Sequence, residues 1–191
     1  MDASMVIALA GRRIDEARQP APRFPLSNVG IVRERIRNVL CDLRPRMLVC
    51  SAGCGADLLA LEVAFQLKMQ TRVVLPFDPD EFQITSVADR AGDWTSLYRR
   101  VVSEVESRRD LVVLGCAVDD PGAYAAVNRE IINQARVAAT ESGTGIAAVT
   151  VWDGVPHGNA DMSWDFLRAA RNCGLEIREV STLGEIASND R

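Results

Sequence analysis

Six short apolar runs alternating with five longer stretches of helical periodicity predict an α/β fold, a three-layer sandwich with a mostly parallel sheet of about six strands and helices on both faces. The runs are Met5–Ala10, Met47–Cys50, Arg72–Leu75, Leu111–Leu114, Ile146–Val151 and Leu175–Val180, each rich in Val, Ile or Leu and bounded by Gly, Pro or charged residues. Hydrophobicity that is continuous rather than alternating marks strands buried on both sides. The helical stretches are Val29–Leu43, Ala56–Lys68, Trp94–Ser107, Ala123–Ala139 and Met162–Cys173. Strict alternation of the two demands crossover connections, which lay helices over both faces of a parallel sheet, a Rossmann-like arrangement.

Within that frame the helices differ in character. The one starting near Ala56 is apolar almost all round (Leu58, Leu59, Leu61, Val63, Phe65, Leu67), as a central helix flanked by neighbours must be. Ala123–Ala139 sets Val127, Ile131, Ala135 and Ala138 against Arg129, Glu130 and Arg136, the pattern of an outer helix. Three segments break the regularity: Arg12–Ser27 with its prolines, acid-rich Asp78–Asp93, and Trp152–Asp161. Each follows a strand, so in a parallel sheet all three gather at the carboxyl edge, where open α/β sheets bind ligands.

At 191 residues and 48% hydrophobic content the chain suits one domain, expected over residues 1–187 with a frayed tail at 188–191. A net charge of −4 argues against nonspecific binding to nucleic-acid backbones, which needs a strongly positive face. The five cysteines form no CxxC pair and, with a single histidine, no zinc-ligand spacing, so reduced thiols and no metal are expected. The N-terminus lacks the basic region of a secretory signal, and no run reaches the roughly 18 apolar residues that span a bilayer. The expectation is a cytoplasmic protein without a membrane partner.

The loop Ser51-Ala52-Gly53-Cys54-Gly55-Ala56-Asp57 has the context of an anion site, with a strand before it and a helix after it. Gly53 and Gly55 let the backbone approach a phosphate, and Ser51 adds a hydroxyl donor. The loop is neither a Walker loop nor a GxGxxG fingerprint, and a tight turn needing glycine for geometry alone is the competing reading. Cys54 is either a thiol activated at a helix start or a small residue filling the turn. Asp57 is either a dipole-stabilised carboxylate or an acceptor for ribose hydroxyls, and Glu62 either a solvated edge residue or a buried acid.

Gly11-Arg12-Arg13 ends the first strand, where two guanidinium groups can fork around a phosphate or sit as a solvated basic loop. Trp152, Asp153, Gly154, Gly158, Asn159 and Asp161 form a second candidate cradle, running into a helix capped by Asn159 or Asp161. His157 in the same segment reads as an exposed loop residue rather than a general base, since no nucleophile is spaced to partner it. Tyr124 and Asn128, four apart on one helix face, either reach a base or ribose or serve packing and surface.

Together, Gly11-Arg12-Arg13-Ile14-Asp15, S-A-G-C-G-A-D-L-L-A-L-E at 51–62, V-V-L-P-F at 73–77, Phe82 with Ser86-Val87, W-D-G at 152–154 and G-N-A-D at 158–161 resemble the SLOG superfamily over nearly the whole chain. That superfamily includes the Lonely Guy phosphoribohydrolases and DNA-processing protein A. The likeness is greatest to bacterial SLOG-like domains found beside tetratricopeptide repeats and signalling modules. The resemblance implies a Rossmann-like fold binding a nucleotide or nucleotide-derived ligand, with Gly53, Gly55 and Asp57 lining the phosphate or ribose pocket and Gly158, Asn159 and Asp161 facing it. Where Lonely Guy enzymes carry PGGxGTxxE, this chain has His157-Gly158-Asn159-Ala160-Asp161-Met162-Ser163-Trp164, without the catalytic glutamate. Where the nearer SLOG-like domains tend to show Gly-His-Arg, it has Gly11-Arg12-Arg13.

Three functions follow as expectations. The first is a sensor of a nucleotide-type ligand, working as a homo-oligomer or with a signalling partner, with no other cofactor. The second is a hydrolase of a nucleotide N-glycosidic bond using Asp57, Glu62 or Asp161. The third is an interaction module whose crevice is filled by side chains such as Trp152, Phe77 or Trp94.

Overall fold

The central strands are buried on both faces because their sequences offer no polar side, and the edge strands are where charge enters the sheet. A computed structural model describes residues 5–158 and 160–184. The strands are β1 (Met5–Gly11), β2 (Met47–Cys50), β3 (Gln70–Leu75), β4 (Leu111–Val113), β5 (Gly145–Trp152) and β6 (Glu176–Ser181). Every pairing is parallel, in the order β4-β3-β2-β1-β5-β6. Edge strand β6 places Glu176, Arg178 and Glu179 outward, which discourages pairing with another chain. The expected Rossmann-like α/β sandwich is the fold observed.

The helices are α1 (Val29–Leu43), α2 (Ala56–Gln66), α3 (Pro79–Ser86), α4 (Thr95–Ser107), α5 (Ala123–Ser142) and α6 (Met162–Asn172). Alternation along β1 divides the core between them. Ile7 and Leu9 join Leu48 beneath α1, α2 and α4, through Ile36, Leu61 and Val105. On the opposite face Val6, Ala8 and Ala10 join Ala148 beneath α5 and α6, through Ile131, Ala135 and Phe166. The small residues on this second face let the 20-residue α5 lie close across the middle of the sheet. Each large aliphatic side chain so buried contributes about 1.5–3 kcal/mol.

Chain direction explains the division. From β1 the chain steps outward through β2 and β3 to β4, and α5 then carries it back across to β5 on the other side of β1. Right-handed crossovers in opposite directions put their helices on opposite faces. The reversal falls between β1 and β5, so the loops leaving these neighbouring strands diverge and open a crevice.

Asp78–Asp93 is not irregular throughout, because α3 occupies its first half. Asp78 caps this helix by accepting from the Asp80 N–H at 2.9 Å, Pro79 fixes its first turn, and Asp80 and Glu81 complement its dipole. Among the described residues, no helix is long and apolar enough to cross a membrane. The tail expected at 188–191 lies outside the described residues.

Two glycines let the elements meet. At Gly11 an added Cβ would lie 2.5 Å from both the Ala56 Cβ and the Val151 carbonyl oxygen, so β1 passes between α2 and β5 only without a side chain. Gly55 has φ +115°, and a Cβ there would lie 2.8 Å from the Arg12 carbonyl oxygen and 2.9 Å from the Ile14 nitrogen. Both neighbours are backbone and cannot step aside. Gly55→Ala should therefore cost more than about 2 kcal/mol in urea unfolding, whereas Gly30→Ala, in open space on α1, should stabilise by roughly 0.5–1 kcal/mol.

Candidate functional site

The loops leaving β1, β2 and β5 enclose a cleft of about 450 Å³, within the range of roughly 300–1,000 Å³ typical of small-molecule sites. Gly11, Arg12 and Arg13 enter it from β1, Ser51, Gly53 and Asp57 from β2 and α2, and Asp161 from the start of α6. Tyr124 and Asn128 face it from α5. The sequence thus places nine candidate residues around one opening. Trp152, Phe77 and Trp94 do not line it, so the large aromatics that would have filled the crevice leave it open.

Arg12 organises one side. It is only 8% exposed, and its guanidinium donates from Nη1 and Nη2 to the two Asp161 carboxylate oxygens, both at 2.7 Å. Nε donates to Asp153 Oδ1 at 2.8 Å, and Nη2 also reaches the Val155 carbonyl at 3.1 Å. Asp161 in turn accepts from the backbone N–H groups of His157 and Trp164, the second being the N-cap contact of α6. These donors hold its carboxyl below the usual carboxylate range despite its burial. The remaining oxygen of Asp153 lies 2.6 Å from His157 Nε2. His157 is therefore half-buried and held against Asp153, not the free loop residue expected.

The Gly-rich loop uses its polar groups internally. The Gly53 N–H donates to Asp57 Oδ2 at 3.2 Å, the Cys54 N–H to the Ser86 carbonyl at 3.0 Å, and the Ala56 N–H to the Arg12 carbonyl at 3.0 Å. Gly55 bridges to Arg13 and packs against the chain there. Cys54 is fully buried, and burial pushes its thiol up to about 11, so it is neither reactive nor a lining residue.

Asp57 has an unusual environment for a carboxylate. It is 9% exposed, and Oδ1 is buried with no hydrogen-bond partner. Desolvation pushes its carboxyl up to about 7, against smaller opposing contributions from the Gly53 and Gly11 amides and the Arg13 charge. A carboxyl that changes charge near neutrality in a cleft can accept or donate a proton there.

Several candidates stand elsewhere. Glu62 forms an ion pair with Arg33 of α1 at 2.9 Å and does not line the cleft, because its helix position faces the neighbouring helix. Trp152 is buried, stacks on Trp164 at 5.8 Å and donates to Glu179. Asp153 supports Arg12, while Gly154 and Gly158 shape the loop at φ +83° and +84° without lining the cleft. Asn128 does line the cleft, but it is buried and its amide donates to the Met162 carbonyl and Asp165, fastening α5 to α6. Asn159 lies outside the described residues.

The lining also includes residues not singled out from the sequence, among them Gln19, Arg23 and Arg90. Their segments carried the signal, since two of the three irregular stretches supply them. Asp15 draws the first stretch into a closed loop by accepting from the Arg23 and Phe24 N–H groups, with Phe24 buried as its plug. Arg13 is held by Asp89 at 2.9 Å and by the Thr85 carbonyl. The Tyr124 hydroxyl lies 2.7 Å from Ser86 Oγ, and its residue stays 37% exposed.

Two stability effects follow. Asp57 titrates higher folded than unfolded, so the native state holds the extra proton and stability falls as pH rises from roughly 4 to 7. Asp57→Asn should remove that fall, on the order of a few kcal/mol, as read from urea midpoints against pH; equal slopes in both proteins would contradict the assignment. Asp161→Asn leaves Arg12 underpaired and should cost about 3–5 kcal/mol at pH 7 by the same measurement.

No family model and no curated protein matches the chain. Among solved structures the chain is similar in fold to the X-ray structure of DNA processing protein A (DprA) from Streptococcus pneumoniae, with 14% identity and a TM-score of 0.40. That similarity covers 93% of this chain and 59% of the other, so the present chain spans under two thirds of its neighbour's length.

Proposed function

We propose that the protein binds a nucleotide or nucleotide-derived ligand in the cleft between β1, β2 and β5, and acts as a sensor of it. The observation that carries this reading is Asp57, a carboxyl at the wall of a cleft of nucleotide size at the reversal point of the sheet. A ribose offers two adjacent hydroxyls, partners that a carboxyl at a cleft wall can pair with. The exposed Tyr124 ring offers an aromatic face to a base.

A second reading, hydrolysis of an N-glycosidic bond, is supported by the place of Asp57 in the cleft wall together with the burial that pushes its carboxyl up to about 7. In that reaction a water oxygen bonds to the sugar's anomeric carbon as the carbon–nitrogen bond breaks. The bonding pair and a proton from Asp57 go to the departing base, and the water's proton is released to solvent. Glu62 has no part in it, because it lies outside the cleft.

Thermal unfolding with nucleosides, nucleoside mono- and diphosphates, cyclic nucleotides and dinucleotide cofactors tests the first reading. A binder should add about 2.7 kcal/mol at a hundredfold excess over Kd, and Tyr124→Ala should reduce the gain. Absence of any shift across the panel overturns it. Free base released by the wild type and lost in Asp57→Asn would establish the second reading; release unaffected by that substitution would remove it.

A further inference from the structure

The proposed ligand's phosphoryl group needs a place, and the two cradles that the sequence suggests are already filled. The Gly53, Cys54 and Ala56 amides are bonded within the protein, and the start of α6 is occupied by its own Asp161 carboxylate. Arg12 faces two carboxylates and has no charge to offer a third anion.

The cleft has other guanidinium groups. Arg23 lines it, makes no ion pair among the described residues, and has a buried Nε without a hydrogen-bond partner. Arg90 lines it too, again with a buried, unpartnered Nε. Its outer nitrogens meet Glu16 at 3.0 Å and Asp89 at 3.4 Å, and Asp89 also pairs with Arg13. Glu16 is a loop residue whose side chain is 64% exposed, a weak and displaceable counter-ion. Among the described residues the outer nitrogens of Arg23 have no counter-ion and those of Arg90 only an exposed and a shared one, and a phosphate supplies several acceptors in the geometry a guanidinium fork matches.

Resting on the nucleotide reading above, we infer that Arg23 and Arg90, with Arg13 joined to Arg90 through Asp89, form an anion subsite that takes the ligand's phosphoryl group, with Glu16 holding Arg90 until the anion arrives. The chemistry recognised is a phosphate or diphosphate, free or attached to a nucleoside.

Inorganic pyrophosphate alone is the probe, titrated calorimetrically at low salt into the wild type, Arg23→Ala, Arg90→Ala, Glu16→Gln and, as a control outside the cleft, Glu176→Gln on β6. Pyrophosphate should bind the wild type, about tenfold more weakly to each arginine variant, severalfold more tightly to Glu16→Gln, and within about twofold of wild type to Glu176→Gln. Arg23→Lys keeps the charge without the fork and serves if Arg23→Ala does not fold; its affinity should fall between the two. No binding to the wild type, or affinity indifferent to both arginines, overturns the subsite. Pyrophosphate binding without any response to nucleosides or nucleotides keeps the subsite and removes the nucleotide reading. Nucleoside binding that a phosphate does not strengthen does the reverse.

Discussion

The buried guanidinium of Arg12 is the interaction on which the candidate site depends. A charge this deep is tolerated only when its donors are matched, and here they meet Asp153, Asp161 and the Val155 carbonyl. The contact ties the end of β1 to the loop that follows β5, the two strands that part at the reversal of the sheet. Asp161 then serves a second purpose as the cap of α6, so one carboxylate fixes both the loop and the start of the helix that follows. A charged clamp thus bridges the two loops at the edge of the opening.

This clamp also decides what the Gly-rich loop does. Arg12 and Arg13 extend β1 past its last paired residue, and their backbone lies against Gly55 and Ala56. The glycines at 11 and 55 exist for that approach, since a methyl group at either would meet backbone or a neighbouring side chain at less than 3 Å. The loop supports the site mechanically and presents Asp57 to it. An anion-binding role for its amides competes with hydrogen bonds that the fold itself needs.

Continuous apolar runs made the sheet legible in the sequence: β2 spans the expected Met47–Cys50, and α1 the expected Val29–Leu43. Binary pattern governs such elements, and one sequence suffices to show it. The short α3 was hidden because an eight-residue helix rich in acids has little apolar periodicity, although Asp78-Pro79 marked its start. Site residues were legible by segment more than by identity. Arg23 and Arg90 are ordinary surface arginines in sequence, and only the closed loop built on Asp15 and the turn after α3 bring them to the same cleft. Glu62 looked like a candidate because it interrupts an apolar helix, yet Arg33 lies 29 residues before it in sequence and meets it across the α1–α2 contact.

The charges around the cleft impose an orientation on any nucleotide-type ligand. Asp57 already gives up its charge near neutrality for want of solvent, and a phosphate beside it would raise the cost of ionising it further. Hydroxyl groups have the opposite effect, because donation to a carboxylate favours its charged form. The arginines that still have donors free belong to the loop after β1 and the turn after α3, while Arg12 is neutralised within its clamp. A ligand that places sugar hydroxyls toward Asp57 and its phosphoryl group toward Arg23 and Arg90 therefore matches the charge at both ends of the cleft, and reversing it would set the phosphate against a carboxyl.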